Sequence, residues 1–149
     1  MLGDSERLLS SAMAMTRVSA LLNEALDSRL QAECGLTIAE KEVLIQLEAN
    51  DGYMMMREIA EQLLLSGGGV TKMIDRLESE GLVGREASPD DRRVVFAVIT
   101  DDGKRMVERV QDIMLDEITT RWSSKLDSSD ADAVLRTAAK VLRGNEDWA

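Results

Sequence analysis

A chain of 149 residues, 44% hydrophobic and 31% charged, is long enough for one domain with a real core and too short for two comfortable ones. One cysteine and no histidine exclude an internal disulfide, a zinc site built from Cys and His, and every histidine-based nucleophile or general base. The net charge of −10 argues against nucleic acid only in the far field, because affinity for phosphate depends on the face that touches it.

With 28 acidic residues, carboxylate pairs arise by chance, and no catalytic motif accompanies them. The chain therefore reads as a non-enzyme, with no cofactor or metal expected. No apolar run approaches about 18 residues, so no membrane span is predicted. Asp4, Glu6 and Arg17 make the first segment a poor secretory signal, and the expected location is the cytoplasm. A single proline and long Leu/Ala/Glu/Arg/Met-rich stretches favour a mainly helical protein.

From about Asp4 to Leu30, apolar or small residues at Leu8, Ala12, Met15, Ser19, Leu22 and Leu26 mark one stripe of a long helix. At 1.5 Å per residue it spans roughly 40 Å, more than a small domain needs for its own core. Either a partner subunit covers it or it wraps its own domain. Glu33-Cys34-Gly35-Leu36 breaks the helix, and Thr37-Ile38-Ala39-Glu40 has capping-box spacing for a second helix running to about Glu48. Asn50-Asp51-Gly52 is a turn, and Tyr53 to Met55 suits a short strand. A third helix is predicted from about Arg57 to Leu64, burying Ile59, Ala60 and Leu63. A fourth opens after Ser66 and ends near Glu80-Gly81, with Val70, Met73, Ile74 and Leu77 inward.

The period then changes. Leu82 to Ala87 and Arg93 to Ile99 are rich in β-branched residues, and Ser88-Pro89-Asp90-Asp91 lies between them as a turn, which predicts a hairpin with a long tip. Thr100-Asp101-Asp102-Gly103 begins a fifth helix, with Val107, Val110, Met114 and Ile118 on one face. Ser128 and Ser129 are expected to cap a sixth, carrying Val134, Leu135, Ala138, Val141 and Leu142. Two short helices joined by a tight turn and followed by a hairpin make a winged helix-turn-helix. Its fourth helix would enter the major groove and its hairpin tip would lie over the neighbouring minor groove.

Leu65-Ser66, Val70-Thr71-Lys72, Asp75-Arg76-Leu77-Glu78 and Glu80-Gly81-Leu82-Val83 resemble the recognition-helix region of the MarR family of bacterial transcription regulators. Pro89-Asp90-Asp91-Arg92-Arg93, followed by Val98-Ile99-Thr100 and Gly103, is similar to that family's wing signature. The resemblance implies a mainly α fold with a small β-hairpin wing, as a single domain over 1–149. Within it, residues of about 37–100 form the DNA-binding lobe, and about 4–34 and 101–143 form dimerisation helices. It further implies a homodimeric repressor on a pseudo-palindromic operator in double-stranded DNA, released by a small-molecule effector or an oxidant. The alternative is an antirepressor or ligand-binding interaction module on the same fold without DNA binding; the glycines and the acidity favour it, and the intact Asp91-Arg93 wing opposes it.

On this reading Arg93 matches the wing arginine that enters the minor groove, with Asp91 holding it by a charge-assisted hydrogen bond. The plain alternative is a surface ion pair worth about 0–1 kcal/mol. Thr71 and Lys72 face outward on the fourth helix and reach base edges or phosphate, or else are a solvated face. Arg76 suits a phosphate or a pair with an acidic neighbour such as Glu80, and Arg57 and Arg92 are further phosphate candidates. The three glycines after Ser66 do not make a phosphate-cradling loop, since no Gly-x-x-x-x-Gly-Lys-[Ser/Thr] spacing is present and no strand runs into Ser66. In a helix each costs roughly 0.5–1 kcal/mol relative to alanine, which Ser66 as N-cap partly offsets. At a recognition-helix start, Gly68 and Gly69 would let bare N–H groups approach a phosphate, moving specificity toward Thr71, Lys72, the wing and DNA shape. A frayed start that touches nothing is the other reading. Cys34, placed after the first helix, reads as a small hydrophobe rather than a redox sensor. Met54-Met55-Met56 would either line an adaptable ligand pocket between the dimer helices and the DNA-binding lobe or simply fill the core.

Overall fold

A computed structural model describes residues 3–63, 66–91 and 93–143, without the side chain of residue 142. Leu64 as the predicted end of the third helix, Leu65, Arg92 and the Leu142 side chain therefore lie outside the described residues. The elements run α1 (Asp4–Cys34), α2 (Ile38–Ala49), β1 (Tyr53–Met55), α3 (Met56–Gln62), α4 (Gly67–Ser79), β2 (Val83–Ala87), β3 (Val95–Ile99), α5 (Asp101–Trp122) and α6 (Ser128–Arg143).

The helix ends follow local chemistry. Gly35 closes α1 in the left-handed region at φ 68°, its N–H donating to Gln31 O while Leu36 N–H reaches Leu30 O, a Schellman-type stop. Thr37 and Glu40 form the expected capping box: Glu40 N–H donates to Thr37 Oγ1 at 3.3 Å and Thr37 N–H to Glu40 Oε2 at 2.8 Å. Thr100 Oγ1 caps α5 by accepting from Gly103 N–H at 3.0 Å and donates to Gly81 O at 2.7 Å. The start of α6 differs from expectation. Asp127 rather than Ser128 or Ser129 supplies the cap, exchanging hydrogen bonds with Asp130 in both directions. A carboxylate is the stronger acceptor beside a helix N-terminus.

The hairpin gains a third strand. The sheet order is β1-β3-β2, antiparallel, with Met55 opposite Phe96 and Ala87 opposite Val95. Strand β3 begins at Val95 instead of Arg93, because the tip is closed by Ser88 N–H to Val94 O and Val94 N–H to Asp91 O, each at 2.9 Å. One sheet face buries Met54, Val83, Ala97 and Ile99 against the helices; Leu44, Leu47, Ile59, Val70, Ile74 and Leu77 complete the centre of the core.

Leu26 and Leu30 of α1 and Val107, Val110 and Ile113 of α5 extend that core. On α5 the inward face is led by Ile113 and Glu117, while Met114 and Ile118 are half-buried, a small rotation from the predicted stripe. Glu117 is buried because two arginines meet it. Arg29 from α1 lies at 3.3 Å, and Arg121, one turn away, also pairs with it. Arg29 further binds Asp116 at 2.6 Å and Glu33 at 2.9 Å, a network that joins α1 to α5.

The first half of α1 leaves this body. Leu8 is 71% exposed, and Leu9, Met13, Val18 and Leu21 are open as well, as are Val134, Leu135 and Val141 of α6. The apolar surface on α1 is wider than the single predicted stripe.

Candidate nucleic-acid interface

Helices α3 and α4 and the wing converge on one face. Ser66 stands at the N-cap of α4 with extended φ, and its Oγ accepts from Gly69 N–H at 3.2 Å. Gly67 and Gly68 follow with no positive φ, and a Cβ at either would meet nothing within 4 Å. Packing therefore does not demand glycine at these two positions. Val70, Ile74 and Leu77 bury one side of α4, which leaves Thr71 and Lys72 exposed on the other. Thr71 Oγ1 already donates to Gly67 O at 2.9 Å, so its remaining capacity is as an acceptor.

At the wing, Arg93 is 95% exposed. Asp91 Oδ1 accepts from the Arg93 backbone N–H at 3.0 Å and lies 3.5 Å from Arg93 Nε. The carboxylate thus hydrogen-bonds the Arg93 backbone, while its contact with the side chain is a surface ion pair rather than the expected charge-assisted hydrogen bond. Arg57 is exposed at the start of α3. Arg57, Thr71 and Arg93 line one open cavity of about 620 Å³, together with Met55, Met56 and Asp75. The methionine-lined pocket thus lies under the wing on this same face, not between the α1/α5 helices and the lobe.

Arg76 pairs with an acid, as one of its two sequence readings expects, but the acid is Glu40 rather than Glu80. Its Nη1 pairs with the buried Glu40 at 3.2 Å and its Nη2 donates to Gly35 O at 2.5 Å. It does not pair with Glu80, and 49% of its side chain stays exposed. It ties α4 to the junction of α1 and α2, and satisfies the second oxygen of the carboxylate that caps α2.

Arg85 of β2 is the residue that sequence reasoning missed. It binds Asp75 Oδ1 at 2.6 Å, pairs with Glu78, and donates to Thr71 O at 3.3 Å. The signal was present only as an unexplained excess of acid on α4. Cys34 is corrected too: it is the last residue of α1 rather than a residue beyond it, and it packs half-buried against the core. Burial pushes its thiol pKa up; Arg109 opposes this and Glu33 adds to it. That lowers the thiolate fraction and the reactivity. Among the described residues, no group of three or more His, Cys, Asp or Glu is placed to hold a metal, and no helix is long and apolar enough to cross a membrane.

Comparison with known proteins gives the same picture. A family model described as the MarR family matches residues 35–94. The HTH-type transcriptional regulator MhqR of Bacillus subtilis (strain 168) is 33% identical over 99 residues, 66% of this chain and 67% of that protein. The crystal structure of AbsC, a MarR family transcriptional regulator from Streptomyces coelicolor, matches with a TM-score of 0.73 and 30% identity over 97% of this chain and 98% of that one. A second Streptomyces coelicolor MarR family regulator, solved in complex with DNA, shares the fold with a TM-score of 0.79 at 24% identity, covering 98% of this chain and 91% of that one.

Proposed function

We propose that this chain, which belongs to the MarR family of transcription regulators, acts as a homodimeric repressor on a pseudo-palindromic site in double-stranded DNA. The observation that carries the reading is the wing, where Asp91 holds a 95% exposed Arg93 beside a capped helix whose outer face is polar. Arg93 enters the minor groove, Thr71 and Lys72 face the major groove, and Arg57 and Arg92 take phosphates. Ser66 holds the start of α4, so that the Gly67 and Gly68 N–H groups come close to the strand, whereas the Gly69 N–H, expected from the sequence to be bare, is already taken by Ser66 Oγ. The protein binds rather than catalyses, and works in the cytoplasm.

A second copy of the chain covers α1 and α6. The exposed Leu8, Leu9, Met13, Leu135 and Val141 support this, since large apolar side chains left open on two helices suit an interaction site. In such a dimer the two recognition helices address half-sites one helical turn apart, about 34 Å. A small effector lodged in the cavity under the wing competes with the duplex for Arg57 and Arg93.

Selection of random-sequence duplexes by the purified protein at two salt concentrations tests this. A recovered palindrome with steep salt dependence is the expected result. Weak binding with no sequence preference, by a folded dimer, would instead identify an interaction module that has lost DNA recognition.

A further inference from the structure

Asp75 and Glu78 sit on the exposed side of α4 and bring negative charge to the face proposed to meet a polyanion. Both are held by Arg85, which reaches across from β2. Nη2 lies 2.6 Å from Asp75 Oδ1 and also donates to Thr71 O at 3.3 Å, while Nη1 pairs with Glu78. The guanidinium is only 26% exposed, in contrast to the outward Arg93, and its carboxylate partners are the more open groups of the cluster. Arg85 therefore directs its donors into the protein rather than toward a ligand.

We propose that Arg85 is a positioning residue that masks Asp75 and Glu78 from the DNA phosphates while pinning the wing strand to the recognition helix. The inference rests on the DNA-binding reading above. One cation between two carboxylates halves their net charge and turns both toward itself, so the field that a neighbouring phosphate feels is that of a compact, mostly cancelled cluster. The arrangement explains how a chain of net charge −10 presents a usable DNA face without removing the acids from it. It also accounts for the contrast among the arginines of this face: Arg93 is spread outward to bind, and Arg85 is folded inward to neutralise.

Duplex binding by four proteins over a salt series tests the mask: wild type, Arg85→Ala, Arg85→Ala with Asp75→Asn and Glu78→Gln, and Asp75→Asn/Glu78→Gln alone. Arg85→Ala is expected to weaken binding about tenfold at low salt, equivalent to about 1.4 kcal/mol. The loss shrinks as salt rises, because the Debye length falls to about 8 Å at 0.15 M. Removing the two carboxylates from that variant restores affinity to within about threefold of wild type. In the otherwise wild-type protein the same two changes free a cation and tighten binding, a result that does not depend on whether Arg85→Ala folds. A triple variant as weak as Arg85→Ala overturns the mask, and so does a carboxylate-free protein that binds no tighter than wild type. If wild type binds no duplex at all, the DNA reading falls and takes the mask with it; wild-type binding without rescue removes the mask alone.

Discussion

Replacing Gly67 and Gly68 together by alanine is expected to stabilise the protein and weaken its hold on DNA. Both glycines occupy the first turn of α4, neither has positive φ, and a methyl group at either position enters open space. No contact is lost and no strain is introduced, so the change acts mainly by reducing the conformational entropy of the unfolded chain and favouring helix. Each substitution is worth about 0.5–1 kcal/mol. In a domain of this size 1 kcal/mol moves the melting temperature by roughly 2–4 °C, so the pair raises it by about 2–8 °C. Thermal melting at fixed protein concentration measures this half of the prediction, concentration being held because a dimer's melting point depends on it.

The other half is read by duplex binding and by repeating the selection with Gly68→Ser. If the glycines allow close approach of N–H groups to a phosphate, a methyl or hydroxymethyl group there lowers affinity or changes the preferred bases. A melting temperature that falls would refute the packing argument. Affinity and preference unchanged at every base pair would refute the close-approach argument, leaving the three glycines as a helix start that touches nothing.

Gly103→Ala is expected to do the opposite, since its Cβ would run into the Leu82 carbonyl oxygen and come within 2.7 Å of Ile99 Cγ1. A backbone atom cannot swing aside, and denaturant unfolding should show a loss of at least about 2 kcal/mol. Arg93→Ala should leave stability within about 0.5 kcal/mol, because the side chain is exposed. Its DNA affinity should fall by about 1–3 kcal/mol in a binding titration. Arg76→Ala and Glu40→Gln should each destabilise the lobe and be non-additive when combined, as two groups in direct contact require. Neither should change the slope of DNA affinity against salt, which a lost phosphate contact would lower by about 0.9. Glu117 has its pKa lowered chiefly by the hydrogen bond from Arg121, with Arg29 assisting and burial opposing. A carboxylate depressed in the folded state contributes stability above its ordinary value of 4.5, and that contribution is lost as pH falls through the folded value. Melting curves taken between about pH 5 and pH 3 should therefore fall more steeply for wild type than for Glu117→Gln.

Much of this protein is written in signals that act over a few residues. The Thr37/Glu40 capping box, the glycine stop after Cys34, the Ser66 and Thr100 caps and the Asn50-Asp51-Gly52 turn each involve atoms within about one turn of helix, so residue identity at fixed spacing is enough to specify them. The same holds for the inward face of α4, where apolar period follows helical geometry, and for the Ser88-Pro89-Asp90-Asp91 turn, where Ser88 Oγ accepts from the Asp90 and Asp91 N–H groups. What needed the tertiary structure were choices among chemically equal partners far apart in the chain. Arg76 had several acids within sequence reach and took Glu40, 36 positions earlier, because α2 passes under it. Arg85 found Asp75 and Glu78 because strand β2 returns alongside α4. Glu117 became a buried residue because Arg29 arrives from α1, and β1 became a sheet member because β3 lies beside it. Gly67, Gly68 and Gly103 are the same residue in the sequence, yet two face open space and one faces a carbonyl. Local hydrogen bonds depend on spacing alone, whereas charge pairing and close packing depend on which surfaces the folded chain brings together, and only the path of the backbone decides that.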